Sequence, residues 1–425
     1  MAEIKPFRAL RFNTSKAGKI NELVCPPYDI ISDEQRKEYL NINDNNIIRL
    51  ELPKGENPYE NASETLKKWL DGEILKRDDK EAVYIYEEEF TAYGERKKLK
   101  GCIVRVKLEE FSKGVVLPHE ETLSKAKEDR FNLMKATDCN FSQIYSLYMD
   151  EEHKILSRLD RLSSGKPEIE LTDNDNVTHR LWIVTDTDEI EAVCKDFADK
   201  KLYIADGHHR YETALNYRNY CHEHNIGNGG EDYVMMMLVD MENKGLVVFP
   251  THRLVRNLEN FDAEKAMNDC KQYFDVTVNN NVSDIETTLH KLYEQGKKAF
   301  AFYDGDDKWT LLVLKNPDVI RKLLPDKSDA LCGLDVTVLH TLVLEKLFGI
   351  DAENMAKQIN LTYTKYFDEA INSVKSGKSV CAFILNPTRV TEIRDVAAAG
   401  EKMPQKSTYF YPKLITGLVM NDLTV

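Results

Sequence analysis

The sequence lacks any apolar run long enough to cross a bilayer. Its longest, at 233–239 and 380–385, are of strand length, far below the roughly 20 residues a spanning helix needs. No membrane association is expected. The opening residues show no basic stretch followed by an apolar core, so no signal peptide is expected either. The eight cysteines include no Cys-x-x-Cys pair. In a chain of this length they read as reduced, mostly buried thiols, which argues against a cysteine-based zinc site and points to the cytoplasm. Positive charge is also short. Fifty-eight Lys and Arg stand against 72 Asp and Glu, a net charge of −14, which argues against a non-specific nucleic-acid or anionic-membrane binder. No internal repeat, low-complexity tract, Gly-x-Ser-x-Gly elbow, Gly-x-Gly-x-x-Gly fingerprint or Ser-His-Asp order occurs.

What is present is globular: 425 residues, 42% apolar and 31% charged. That length suits two or three domains with real cores. Strand-like and helix-like patterns alternate, so the class mixes α and β. Residues 59–75 have helical spacing. Residues 82–92 and 99–108 alternate at period two around Tyr93-Gly94-Glu95, predicting a hairpin. Helices are predicted at 122–134, 189–196 and 208–224, and strands at 142–148, 179–184, 201–205, 233–239 and 246–249. After Asn257 the pattern restarts as helix-strand-helix-strand. The polar stretches 163–167 and 257–262 are candidate boundaries, and two lobes are expected, 1–257 and 258–425.

Four segments concentrate catalytic residue types. The first is Leu117-Pro-His-Glu-Glu-Thr122, followed by Lys125, Lys127, Asp129 and Arg130. The pair His119-Glu120 can supply a general base or a carboxylate; the charges after it suit a solvated helix face equally well. The second is Tyr203-Ile-Ala-Asp-Gly-His-His-Arg210. Here a buried strand ends in Asp206-Gly207, and a helix opens with His208, His209 and Arg210. Helix N-termini favour acids, so three bases there break a local rule, and such breaks mark functional sites. A bound anion would repair the conflict; alternatively Asp206 caps the helix and the histidines pair with nearby carboxylates. The third, Pro250-Thr-His-Arg253, offers His252 and Arg253 as further cations, or Arg253 as half of an ion pair. The fourth is Met403-Pro-Gln-Lys-Ser-Thr-Tyr-Phe-Tyr-Pro-Lys413. It lacks the glycines of a P-loop, yet Lys406, Ser407, Thr408 and Lys413 make an anion clamp on a proline-stiffened strap. Asp335, after Gly333, reads as a helix N-cap ahead of Thr337 and His340.

Together with Pro26-Pro-Tyr-Asp29, these segments resemble the domain-of-unknown-function 1015 family almost end to end. Asp206-Gly-His-His-Arg-Tyr-Glu-Thr-Ala214 also resembles the phosphate-binding motif of the ParB/sulfiredoxin superfamily. That superfamily includes partition CTPases, sulfiredoxins and ADP-dependent free serine kinases. Sulfiredoxins place a cysteine where this chain has His208, and the net charge speaks against a DNA-bound partition protein. His119-Glu120 looks like the His-Glu context of the serine kinases. Between Glu120 and Asp206 lie 85 residues, which implies an insertion relative to a minimal core.

The resemblance implies an α+β fold of mixed sheets, with a ParB/sulfiredoxin-like nucleotide-binding core in 1–257. A second α/β lobe follows, whose segment 403–413 is expected to fold back on the cleft. It implies a phosphotransfer enzyme acting on free serine or phosphoserine with an adenine nucleotide, ADP or ATP, and Mg²⁺. It would run as a serine kinase, its reverse, or a phosphoserine hydrolase. Glu120 would be the base, with His119, His208 and His209 beside it. Asp206, Gly207, Arg210, His252, Arg253, Lys406, Ser407, Thr408 and Lys413 would hold phosphate. Tyr28, Asp29, Thr122, Asp129 and Arg130 would hold substrate, and no protein metal ligand is assigned. The alternatives are a nucleotide-sensing binding protein without turnover and a ParB-like DNA-associated NTPase.

Overall fold

The hairpin predicted around Tyr93-Gly94 forms the spine of the larger sheet. In the computed structural model, which describes all residues except Glu121, Leu123 and Val425 and all side chains except theirs and those of Ser124 and Lys125, strands Val83–Ala92 and Glu95–Lys107 pair antiparallel. Ala92 faces Glu95, leaving a two-residue turn. Both turn residues have positive φ, 52° and 75°, the backbone that matches the twist of the flanking strands.

The chain divides into two compact units. The first comprises Met1–Pro118, Thr122–Val247 and Pro412–Val425; the second comprises His119–Glu121 and Val248–Tyr411. The division therefore falls ten residues before the expected Asn257. The reason is the short strand His252–Val255, which pairs with Cys381–Ile384 and Leu361–Thr364 and so belongs to the second unit's sheet. The last fourteen residues, expected with the C-terminal lobe, return to the first unit. There Met420 exchanges backbone hydrogen bonds with Leu10, and Thr416 with Cys25.

In the first unit a nine-stranded mixed sheet runs in the order Val116–Leu117, Leu202–Asp206, Ile144–Tyr148, Tyr233–Asp240, Glu95–Lys107, Val83–Ala92, Thr178–Val184, Ile169–Thr172. Ile4–Lys5 is added alongside Glu95–Lys107. Tyr233–Asp240 is buried along its whole length, which is why it reads as an unbroken apolar run and not as an alternation. Helix His208–His224 follows Leu202–Asp206 and packs on helix Ser124–Thr137. Gly207 before it and Asn225 after it both adopt the left-handed conformation, which at the C-terminal end is a common helix stop.

The second unit is a six-stranded antiparallel sheet, in the order Phe274–Asn280, Lys308–Leu314, Ala299–Tyr303, Cys381–Ile384, His252–Val255, Leu361–Thr364. Its core packs helices Ile285–Glu294 and Phe367–Lys375 on one face. Asp335 is not the N-cap; Leu334 takes that position, without a side-chain cap. Asp335 is instead buried, its carboxyl pushed up to about 7 by burial. Lys298 at 3.6 Å opposes that shift and Glu392 adds to it. Beyond it the helix widens into a π-helical stretch, Leu339–Glu345.

A second carboxyl shares that position on the pH scale. Glu88 is fully buried in the first unit's sheet and raised to about 7 by burial, against the pull of His179 and Tyr86. Tyr86 bonds His179 Nδ1 at 2.6 Å, and His179 Nε2 meets Asp173 at 3.1 Å. Unfolded, these two groups would titrate near 4.5 and 3.8, so the folded state holds extra protons between those values and about 7. Their contribution to stability is complete at low pH and is lost as pH rises through about 7. Thermal unfolding measured from about pH 5 to 8 should show Glu88→Gln and Asp335→Asn each gaining on the native chain as pH rises. Parallel curves for variant and native chain would show that these carboxyls are already ionised.

Candidate functional site

In the first unit the strand Leu202–Asp206 delivers its last residue to a concentration of charge. Asp206 accepts from Arg210 Nη2 at 2.8 Å and is bonded by the Lys413 ammonium. Burial alone would raise its carboxyl; Lys413 and Arg210 outweigh it and hold Asp206 well below the usual carboxylate range. Asp206 is thus an ion-pair partner and not the helix cap. Gly207 is the cap, and it supplies no side-chain bond to the first-turn amides. No acid stands in that first turn. Arg210 donates from Nη1 to the Gln143 carbonyl at 2.6 Å, while its buried Nε has no partner among the described residues. A buried guanidinium N–H without an acceptor costs free energy unless a ligand or water takes it. His208, buried, lies close enough to Asp206 to lower its carboxyl further; His209 follows it in the first turn.

Three more sequence segments converge on this place. Arg130, 6% exposed, donates from Nε and Nη2 to Asp129 at 2.8 and 2.6 Å and from Nη1 to the Glu51 carbonyl at 2.6 Å. Its guanidinium lies over the Tyr28 ring at 4.1 Å. Burial raises the Tyr28 hydroxyl, Asp29 adds to the shift, and Arg130 and Arg210 oppose it. Tyr28, Asp29, Arg130 and Arg210 therefore share one neighbourhood. Thr122 bonds Glu212 at 2.7 Å, as does Lys127.

The remaining nominated residues gather in the second unit. Glu120 bridges to Met403 in the strap, and its Oε1 accepts from the Lys406 N–H at 3.0 Å. His119 Nε2 lies 3.1 Å from Thr408 Oγ1. Ser407 donates to the Pro404 carbonyl and its own carbonyl accepts from Thr388. Arg253, 1% exposed, donates from Nε to His340 Nε2 at 3.2 Å and from Nη2 to the Lys406 carbonyl at 3.1 Å. Burial lowers it to about 10, and burial with the Arg253 charge lowers His252 to about 3. His252 is therefore a neutral acceptor for the Leu385 N–H, and not one of the expected cations.

A family model described as "Protein of unknown function (DUF1015)" matches residues 4–337. The chain belongs to that family. No curated protein matches this DUF1015 chain. Among solved structures, free serine kinase in complex with AMP is 12% identical over 76% of this chain and 91% of its own, at a TM-score of 0.39. SbnI with C-terminal truncation from Staphylococcus aureus is 12% identical over 74% and 87%, at 0.36. A conserved hypothetical protein from Pyrococcus furiosus is 13% identical over 73% and 90%, at 0.34.

Sequence reasoning missed Glu51 of this DUF1015 chain. It is 2% exposed, at the end of a one-turn helix, and its Oε1 accepts from Ser142 at 2.8 Å. Burial raises its carboxyl while Arg130 and Arg210 oppose the shift. A carboxylate between Leu50 and Leu52 was the available signal. Among the described residues, no three His, Cys, Asp or Glu side chains are grouped to hold a metal ion.

Gly207 is required twice over. Its φ is +92°, and a Cβ there would sit 2.9 Å from Arg210 Nε and Nη2. Because Asp206 and Gln143 fix the guanidinium, it cannot simply swing aside. Gly207→Ala should destabilise by more than about 1 kcal/mol and weaken anion binding together with it. Thermal unfolding and phosphate titration read the two effects; native values for both would mean the turn relaxes freely.

Proposed function

We propose that this protein is a phosphotransfer enzyme that uses an adenine nucleotide and acts on free serine or phosphoserine. The observation that carries the reading is the buried Arg210 guanidinium, held rigid by Asp206 and Gln143, with Nε unpartnered at the positive end of a helix that has no acid in its first turn. Such a place favours a phosphoryl group. Preorganised cations need no rearrangement as charge develops on the transferring group, which is how electrostatic catalysis acts.

In this reading the strand-to-helix turn is the phosphate-binding element of a ParB/sulfiredoxin-like core. Arg210 and Lys413 hold phosphate, and His208 and His209 stabilise developing charge. Asp206 fixes both cations, and Tyr28, Asp29, Thr122, Asp129 and Arg130 form the substrate side. Glu120 accepts the proton of the attacking hydroxyl or water. The adenine base, the serine and the role of Glu120 rest on the motif resemblance. Mg²⁺ would come with the nucleotide, since it is commonly held by substrate phosphates and one or two carboxylates.

Thermal shift with ADP, ATP, serine and phosphoserine, followed by turnover assays with the pairs that stabilise, tests this. A saturating ligand raises the midpoint by mass action, and phosphate transfer to or from serine is the expected result. Stabilisation by nucleotide without turnover would replace the enzyme with a nucleotide-responsive binding protein.

A further inference from the structure

Behind Arg210, within the first unit, lies a cavity whose walls include Glu51, Arg130, Asn140, Ser142, Arg210 and Thr213, the rest being chiefly apolar side chains such as Phe141 and Val234. The charges around it do not cancel locally. Arg130 is neutralised by Asp129 and Arg210 by Asp206. Glu51 feels both cations, but its ordinary hydrogen bond is to the Ser142 hydroxyl. Two buried donors of residues lining the same cavity, Arg210 Nε and Asn140 Nδ2, have no acceptor among the described residues. A buried carboxylate lacking a close cation and buried donors lacking an acceptor are each costly alone. One small ligand with a positive and a negative end satisfies both.

We propose that this cavity is the amino-acid pocket, with Glu51 receiving the substrate's α-ammonium and Arg210 Nε the phosphoryl group that passes between substrate and nucleotide. The inference rests on the phosphotransfer reading for the identity of the ligand, and Glu51 is the residue it adds. Apolar walls leave no partner for a polar chain beyond a short one, which selects a small amino acid or its phosphate ester.

The test is calorimetry on the full-length chain with phosphoserine and with its deamino analogue, which keeps carboxylate and phosphate but has no ammonium. Glu51→Gln keeps the shape and the Ser142 contact. It should weaken phosphoserine by about 10–100-fold, the loss of a hydrogen bond between charged groups. The deamino analogue and ADP should bind as they do to the native chain. Should Glu51→Gln fail to fold, Ser142→Ala, which frees the carboxylate to move, should weaken phosphoserine severalfold with the same selectivity. Equal loss of phosphoserine and its deamino analogue, or no loss of either, would overturn the assignment of Glu51. These results are separable from the enzyme reading. Selective binding without turnover keeps the pocket and removes the enzyme, whereas turnover that survives Glu51→Gln with native KM removes the pocket and keeps the enzyme.

Discussion

Arg210→Ala should weaken adenine-nucleotide binding by about 1.5–3 kcal/mol, the range for a hydrogen bond to a charged group, or roughly 10–150-fold in Kd. The guanidinium stands at the positive end of helix His208–His224 with one donor uncommitted, so a phosphate there gains both a charge-assisted bond and the helix field. The substitution also breaks the Arg210–Asp206 pair at 2.8 Å. Removing one member of a buried pair costs about 3–5 kcal/mol when the other is left alone. Asp206 keeps the Lys413 ammonium, so the fold should survive at a lower unfolding midpoint. Calorimetry with ADP, run beside a melting curve, separates the two losses. Arg210→Lys sharpens the result. A lysine restores the charge but not the rigid fork, so it should recover stability better than affinity. Unchanged affinity in Arg210→Ala would remove Arg210 from the nucleotide site.

The segments that could be read from the sequence are those whose signals are local. Tyr93-Gly94 set the hairpin because its backbone demands positive φ, and the helix predicted from His208 to His224 begins directly after Gly207. The strand-to-helix turn at Asp206 was conspicuous because three bases at a helix start contradict the helix dipole. What could not be read depends on pairing between distant segments. Nothing near His252 shows that four residues there join Cys381–Ile384. Nothing near Glu120 shows that it bridges to Met403, 283 positions on. The four chemistry-rich segments were expected to serve one site, and their residues are divided between the two compact units. Asp206, Arg210 and Lys413 lie with Arg130 in the first unit, and His119, Glu120, Arg253 and Lys406–Thr408 in the second. Glu51 was hidden for the opposite reason. Its neighbours are apolar, and a carboxylate in such a run declares itself only once the run is seen to be buried.

Glu120→Gln should lower turnover by about 10²–10⁴-fold, the usual worth of general-base catalysis, while leaving nucleotide affinity nearly intact. A serine hydroxyl is a weak nucleophile at neutral pH, so holding the phosphate leaves the reaction without a proton acceptor. Glu120 is anchored from two sides. Its backbone bridges to Met403, and one carboxylate oxygen accepts from the Lys406 N–H at 3.0 Å. Glutamine can keep that bond through its own carbonyl oxygen, so the loop geometry should hold while the basic oxygen is gone. Glu121, the neighbouring carboxylate, lies outside the described residues. Glu121→Gln should change turnover far less. Measuring kcat with saturating ADP or ATP for both variants, and KM alongside, distinguishes a base from a positioning residue. A base lost shows as kcat falling with little change in KM for nucleotide. If Glu120→Gln turns over serine or phosphoserine at the native rate, the proton goes elsewhere and the likeness of His119-Glu120 to the kinase pair has no functional content.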